Sequence, residues 1–164
     1  MTHRLAVALL AGIALSACGH GEITTTTPPM DAAGTWWLTM TLNVARLADG
    51  YRAELECRGT AALTQEPGTG SLRGVVRYSY RCEGGSALSG SVNAAGKTAF
   101  TMDGFKPYEP AETPCPGAKD VSFSGELSTF GYGTRIYATG ITRVSCGELG
   151  DHESTYTFDG WRDG

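Results

Sequence analysis

The residues with the most distinctive chemistry in this chain are its five cysteines, Cys18, Cys57, Cys82, Cys115 and Cys146. Thiols bind metals, attack substrates or form disulfides. Zinc sites usually contain Cys-x-x-Cys pairs with further ligands nearby, and this sequence contains no such pair. The four later cysteines are an even set in a small domain, which is typical of two disulfides in an exported protein. We therefore predict disulfides, with no metal site and no thiol nucleophile.

A catalytic constellation is equally hard to assemble from the other reactive side chains. A Ser–His–acid triad depends on its histidine, and the only histidine beyond the N-terminal region is His152. It lies between Asp151 and Glu153, in a stretch that we interpret as a solvated acidic loop. No serine occupies a nucleophile elbow, and no glycine loop for phosphate precedes a helix. We predict that the protein is not an enzyme and uses no cofactor.

Charge and length limit the class of protein further. The 164 residues include 13 Lys and Arg against 17 Asp and Glu, a net charge of −4. Nucleic-acid binding requires a concentration of basic residues, so we predict no nucleic-acid partner. The length is sufficient for one domain with a single core.

The N-terminal stretch places the first cysteine in a targeting context. An apolar run over residues 5–14 is about half as long as a helix that spans a bilayer. Leu15-Ser16-Ala17-Cys18 follows this run, and the motif resembles the lipobox of bacterial lipoproteins. The resemblance implies that residues 1–17 are a signal peptide and that Cys18 carries the lipid, with palmitate among its acyl chains.

The same resemblance implies a location in the bacterial cell envelope, with the membrane as a partner through the lipid. Gly19 after the cysteine favours the outer membrane, facing the periplasm or the surface, where the host is Gram-negative. Residues 18–33, rich in threonine and proline, are predicted to include a flexible tether behind the lipidated cysteine. Residues 34–164 are predicted to form a single all-β domain.

From Gly34 onward, apolar and polar residues alternate in eight runs, a pattern typical of half-buried β-strands. Turn residues such as Asp49-Gly50 separate the runs. Residues 104–119, with four prolines, are predicted to be irregular. Successive hairpins favour an eight-stranded antiparallel up-and-down barrel, because closure removes the exposed edges. A β-sandwich is the alternative.

Positions relative to the turns select the disulfide pairing. Cys57 and Cys82 are equidistant from the turn at residues 69–70, and both lie on the apolar parity of their strands. Neighbouring strands bring such residues face to face. Cys115 and Cys146 flank a later turn in the same way. We predict the disulfides Cys57–Cys82 and Cys115–Cys146.

The first strand begins with Gly34-Thr35-Trp36, which is similar to the Gly-x-Trp motif of lipocalins and other calycins. The resemblance implies that Trp36 closes one end of an eight-stranded barrel. It also implies that an arginine near the final strand packs over the Trp36 ring through a cation–π contact. Arg162 matches that arginine, with Arg143 as the alternative.

Two functions fit such a barrel. In the first, the interior binds a small apolar ligand such as a lipid or pigment. The predicted lining is Trp36, Met40, Tyr78, Tyr80, Phe100, Met102 and Phe123. In the second, side chains fill the core, and the protein contacts an envelope protein or wall component, as an inhibitor-type protein does. The predicted contacts are then Trp37, Tyr132, Tyr137 and the proline-rich segment. A fold alone does not choose between these functions.

Overall fold

A computed structural model describes residues 27–102, 106–107, 120–145 and 150–163. The strands in these ranges are β1 (Gly34–Arg46), β2 (Arg52–Gln65), β3 (Ser71–Tyr80), β4 (Cys82–Glu83), β5 (Gly85–Val92), β6 (Lys97–Met102), β7 (Lys106–Pro107), β8 (Val121–Phe130), β9 (Gly133–Ser145) and β10 (Asp151–Asp163). No helix in these ranges is long and apolar enough to cross a bilayer. The predicted signal peptide, the lipidated Cys18 and the Cys115–Cys146 disulfide lie outside the described residues.

Eight of these strands form a closed antiparallel barrel. Going round it, the order is β1, β2, β3, β5, β6, β8, β9 and β10. Strand β10 then pairs with β1, from Trp37 opposite Trp161 to Arg46 opposite His152. The predicted up-and-down barrel is confirmed, and the β-sandwich alternative is wrong.

The alternation of residue types sets which side chains enter the barrel. On β1, Trp36 is fully buried, whereas the side chain of the next residue, Trp37, points outward and is 66% exposed. The sequence pattern leaves the orientation of β9 open. In the structure Ile136 is buried, and Tyr137 and Ile141 are exposed on the outer wall. Period-two alternation therefore holds on both strands.

The turns divide the barrel into two ends. The tryptophan end contains residues 27–33 and the turns at residues 66–70, 93–96 and 131–132. The disulfide end contains the turn at residues 47–50, residues 81–84 between β3 and β5, the last residues of β6 and β9, and the start of β10.

Residues 30–33 belong to the folded domain and not to the tether. Ala32 is fully buried. The side-chain amide of Gln65 accepts a hydrogen bond from the Ala32 N–H at 2.7 Å and donates one to the Met30 carbonyl at 3.1 Å. The Met30 N–H donates to the Asn93 carbonyl at 3.2 Å. Residues 30–33 are therefore held against the barrel by hydrogen bonds to β2 and to the turn at residues 93–96.

The predicted Cys57–Cys82 disulfide is present, with the Cα atoms 5.6 Å apart. The two cysteines are not simply opposite each other in one hairpin. Strand β3 ends at Tyr80, and Arg81 adopts a positive φ of 59° that turns the chain. Cys82 then lies in a two-stranded ribbon, opposite Pro107 of β7. The proline-rich segment, predicted to be wholly irregular, therefore contributes a short strand.

A β-bulge corrects the predicted orientation of Tyr80. Arg58 lies opposite Tyr80, whereas Gly59 lies opposite Tyr78, so Ser79 is an extra residue. One extra residue reverses the side to which the following side chain points. Tyr80 is therefore 51% exposed on the outer wall and does not line the interior.

Candidate functional site

The tryptophan end is organised around Trp36. Its indole N–H donates to the Ala32 carbonyl at 3.0 Å. The guanidinium carbon of Arg162 lies 4.8 Å from the centroid of the ring, which confirms the predicted contact. The same guanidinium donates to the carbonyls of Asp31, at 3.1 Å, and of Ala33. One arginine thus fixes both the ring and the chain that covers it.

Gly34 makes room for this arrangement. It adopts a φ of 127°, and a Cβ atom there would lie 3.2 Å from Cδ of Arg162. Arg143, the alternative arginine, is on the outer wall near the disulfide end, where it donates to Glu153 at 2.8 Å. The Gly-x-Trp pattern therefore has a direct physical reason in this chain.

The predicted cavity lining divides into a buried group and a group nearer the surface. The buried residues are Trp36, Met40, Phe100, Met102 and Phe123. The rings of Phe100 and Phe123 stack at 5.1 Å between centroids, and Phe158 meets Phe100 edge-on at 5.1 Å. These spacings are typical of packed aromatic cores. The middle of the barrel is accordingly occupied by side chains that contact each other.

The interior toward the disulfide end contains hydroxyl groups. Tyr78 is half-buried, and its hydroxyl lies 3.4 Å from that of Ser86. Thr142 lies directly opposite Ser154 in the ladder between β9 and β10. The buried Oγ1 atom of Thr142 has no hydrogen-bond partner among the described residues. This part of the interior therefore offers hydroxyl groups instead of apolar packing alone.

His152 lies in β10 and not in a solvated loop, which corrects the sequence interpretation. Its side chain points inward with 7% exposure, and Nδ1 lies 3.2 Å from the Gly150 carbonyl oxygen. Asp151 and Glu153 point to the other side of the strand, because neighbouring residues alternate. Across the described ranges, no three His, Cys, Asp or Glu side chains are grouped to hold a metal ion.

The outer wall carries a continuous aromatic surface. Its members, which we call the aromatic face, are Trp37, Phe130, Tyr132, Tyr137, Trp161 and the accompanying Arg135. Trp37 and Trp161 are neighbours across the β1–β10 ladder. The Phe130 ring lies 5.9 Å from that of Trp161 and 6.4 Å from that of Tyr132. The rings therefore form one surface across four adjacent strands, β8, β9, β10 and β1, and one turn.

Arg135 holds part of this surface in place. Its guanidinium carbon lies 5.0 Å from the Tyr137 ring and 5.2 Å from the Trp161 ring. Two nitrogens donate to both carboxylate oxygens of Asp159, each at 2.8 Å. These hydrogen bonds raise the pKa of Arg135 above its usual value. The pair is locally neutral, and the arginine is fixed in a bidentate geometry.

Sequence patterns predict part of the aromatic face. Trp37, Tyr132 and Tyr137 are exposed, as predicted. Phe130 and Trp161 were not predicted, although both occupy the outward parity of their strands. Their outward positions in the alternating pattern could have predicted that they are exposed. Their contacts with each other depend on which strands are neighbours.

The chain matches no protein-family model. Comparisons with curated proteins and with solved structures also found no significant match.

Proposed function

We propose that this protein is a lipid-anchored protein of the bacterial cell envelope that acts through the outer surface of its barrel. The observation that carries the proposal is the contrast between the packed Phe100, Phe123 and Phe158 rings inside and the aromatic face outside. Contiguous exposed apolar surface marks interaction sites on soluble domains. Trp, Tyr and Arg are also the residues that dominate binding energy at such sites.

Two features support the anchor and the location. Leu15-Ser16-Ala17-Cys18 resembles a lipobox at the appropriate distance from an apolar run. The Cys57–Cys82 disulfide is typical of a compartment that does not keep thiols reduced. The calycin-like resemblance is supported by the closed eight-stranded barrel and by the Arg162 contact with Trp36.

The anchor is tested by feeding cells a palmitate analogue and measuring the intact mass of the purified protein. We expect the wild-type chain to carry label and the added mass of lipid, and a Cys18→Ser chain to carry neither. An unlabelled wild-type chain would contradict the proposed anchor.

The surface interaction is tested by site-specific photocrosslinking in intact cells. A photoreactive phenylalanine replaces Tyr132, which is 79% exposed within the aromatic face. The matched control replaces Val75, which is 50% exposed on β3 and outside the face. We expect a higher yield of crosslinked adducts from position 132 than from position 75. Equal yields at the two positions would contradict the proposal.

A small ligand in the interior near the disulfide end is the second candidate function. The observation that favours it is the Thr142 hydroxyl, which is buried without a partner among the described residues. An unsatisfied buried hydroxyl costs about 1–3 kcal/mol, and a polar group of a ligand would satisfy it. Met102 and Tyr78, both in the predicted lining, lie toward this end.

Native mass spectrometry of protein purified from membranes tests this second function. We expect a bound small molecule that is lost in Thr142→Val, which keeps the shape of the side chain. A wild-type spectrum with no such adduct would argue against a ligand.

A further inference from the structure

We propose that the aromatic face docks the tryptophan end of the barrel onto the headgroup layer of the membrane that holds the lipid anchor. The inference rests on the proposed lipidation of Cys18 and names the partner of the aromatic face.

The position of the face on the barrel is the first support. Tyr132 lies in the turn between β8 and β9, and Phe130 is the last residue of β8. Trp161 lies two residues before the end of β10, and Trp37 lies near the start of β1. All four residues therefore surround the tryptophan end. The chain that leads back to Cys18 leaves the barrel at the same end.

The length of that chain is the second support. Met30 is fixed to the barrel by hydrogen bonds from Gln65 and to Asn93. Cys18 precedes it by 12 positions, so the two residues are at most about 40 Å apart even when fully extended. The lipid surface is thus always within reach of the tryptophan end. A tethered contact is intramolecular, so a weak surface contact suffices to hold it.

The chemistry of the face is the third support. Trp and Tyr combine an apolar ring with a polar tip and concentrate where hydrocarbon meets headgroups. The charge of Arg135 is balanced by the bidentate bond to Asp159, so this pair adds no net charge to the face. Such a surface fits the interface of zwitterionic lipids. It offers no concentrated charge for steering toward an oppositely charged protein.

Tryptophan fluorescence tests the docking directly. The full lipidated chain is reconstituted in phosphatidylcholine vesicles, with or without lipids brominated close to the headgroup. Two of the three tryptophans, Trp37 and Trp161, belong to the face, and Trp36 is buried. We expect brominated lipid to quench about half of the emission, because interfacial rings contact the upper acyl carbons.

Two variants provide the controls. W37F/W161F keeps only Trp36, and its emission should not respond to brominated lipid. Adding Tyr80→Trp to this background places a tryptophan at a site of 51% exposure near the disulfide end. That tryptophan should also remain unquenched, because the proposed orientation points it away from the bilayer.

The outcomes separate the two proposals. A wild-type chain that carries lipid and floats with the vesicles, yet shows no quenching, overturns the docking and leaves the anchor intact. Equal quenching of the Tyr80→Trp tryptophan also overturns the docking. A chain without lipid on Cys18 overturns the anchor and the docking together. Protein adducts from position 132, without quenching, assign the face to a protein partner and overturn the membrane assignment.

Discussion

The two ends of this barrel are stabilised in different ways. At the tryptophan end, Trp36, Arg162 and Gln65 converge on the backbone carbonyls of residues 30–33. At the disulfide end, a covalent bond joins Cys57 to Cys82, and the nearby interior contains hydroxyl groups. The difference shows that one barrel can close an end with a packed ring and hydrogen bonds to the chain that covers it. At the other end, a covalent bond supplies the restraint.

The largest expected effect comes from removing the ring that fills the tryptophan end. Trp36→Ala should lower the free energy of unfolding by about 3–5 kcal/mol, because it leaves a large cavity in the core. Trp37→Ala is the matched control. Trp37 is the adjacent residue and is 66% exposed, so its loss should change stability by about 0.5 kcal/mol or less. Urea denaturation followed by circular dichroism measures both values, and similar losses in the two variants would contradict the assigned core.

The next effect concerns the covalent restraint. Cys57→Ser/Cys82→Ser opens a loop with a sequence separation of 25, so we expect a loss of about 3 kcal/mol. Met40 lies opposite Cys57 in the ladder. Trp36 and Met40 are four positions apart on β1, which places Trp36 about 13 Å from the level of the disulfide.

That separation predicts that the two ends are independent. The effects of Trp36→Ala and of the double serine variant should add to within about 0.5 kcal/mol, because effects at well-separated sites usually add. The free energy of unfolding of the combined variant is measured by the same urea denaturation. If that variant does not fold, all the variants are compared in a more stable version of the protein. A larger coupling would show that the two ends form one unit.

A smaller effect is expected at Arg162. Arg162→Ala removes a cation–π contact and hydrogen bonds to two carbonyls, so we expect a loss of about 2 kcal/mol. Arg162→Lys should recover only part of it, because an ammonium group lacks the planar fork. Arg143→Ala is the control, since Arg143 is an exposed arginine in a surface pair worth about 0.5 kcal/mol. Equal losses at the two arginines would contradict the closure role of Arg162.

The smallest effect is expected at a turn of the disulfide end. A hydrogen bond from Arg46, followed by one from the Tyr51 N–H, lowers the pKa of Asp49 in the folded state. A lowered folded-state pKa adds stability above the unfolded value near 4, and this stability is lost as the pH falls through the folded value. The melting temperatures of wild type and Asp49→Asn should therefore differ slightly at pH 6 and converge toward pH 3. A difference in melting temperature that does not narrow toward pH 3 would contradict a stabilising role of the Asp49 carboxylate.

Much of the barrel could be predicted because alternation is a local property. The inward side chains of β1 and the turn at Pro67-Gly68 follow directly from the sequence. The bulge at Ser79 could not be predicted, because a single extra residue leaves the alternating pattern on both sides intact. The burial of Ala32 could not be predicted either. Residues 27–33 show no periodic pattern of apolar residues, and Ala32 is held by a hydrogen bond to Gln65, which is distant in sequence.

The aromatic face shows the same limit. The exposure of Trp37, Tyr132 and Tyr137 follows from parity and turn position. The contact of Phe130 with Trp161 depends on the neighbouring order of β8, β9 and β10, which is known only once the barrel closes.

The pairing of β1 with β10 has a consequence for how the chain acquires its structure. Arg162 bonds to the carbonyls of Ala33 and Asp31 across 129 and 131 positions. Contacts of such long range form late, because a large loop must close before they contribute. Until β10 pairs with it, β1 retains an unpaired edge that can pair with other chains. The edge of β1 therefore stays open to pairing with other chains from the synthesis of the first strand until the last strand pairs with it.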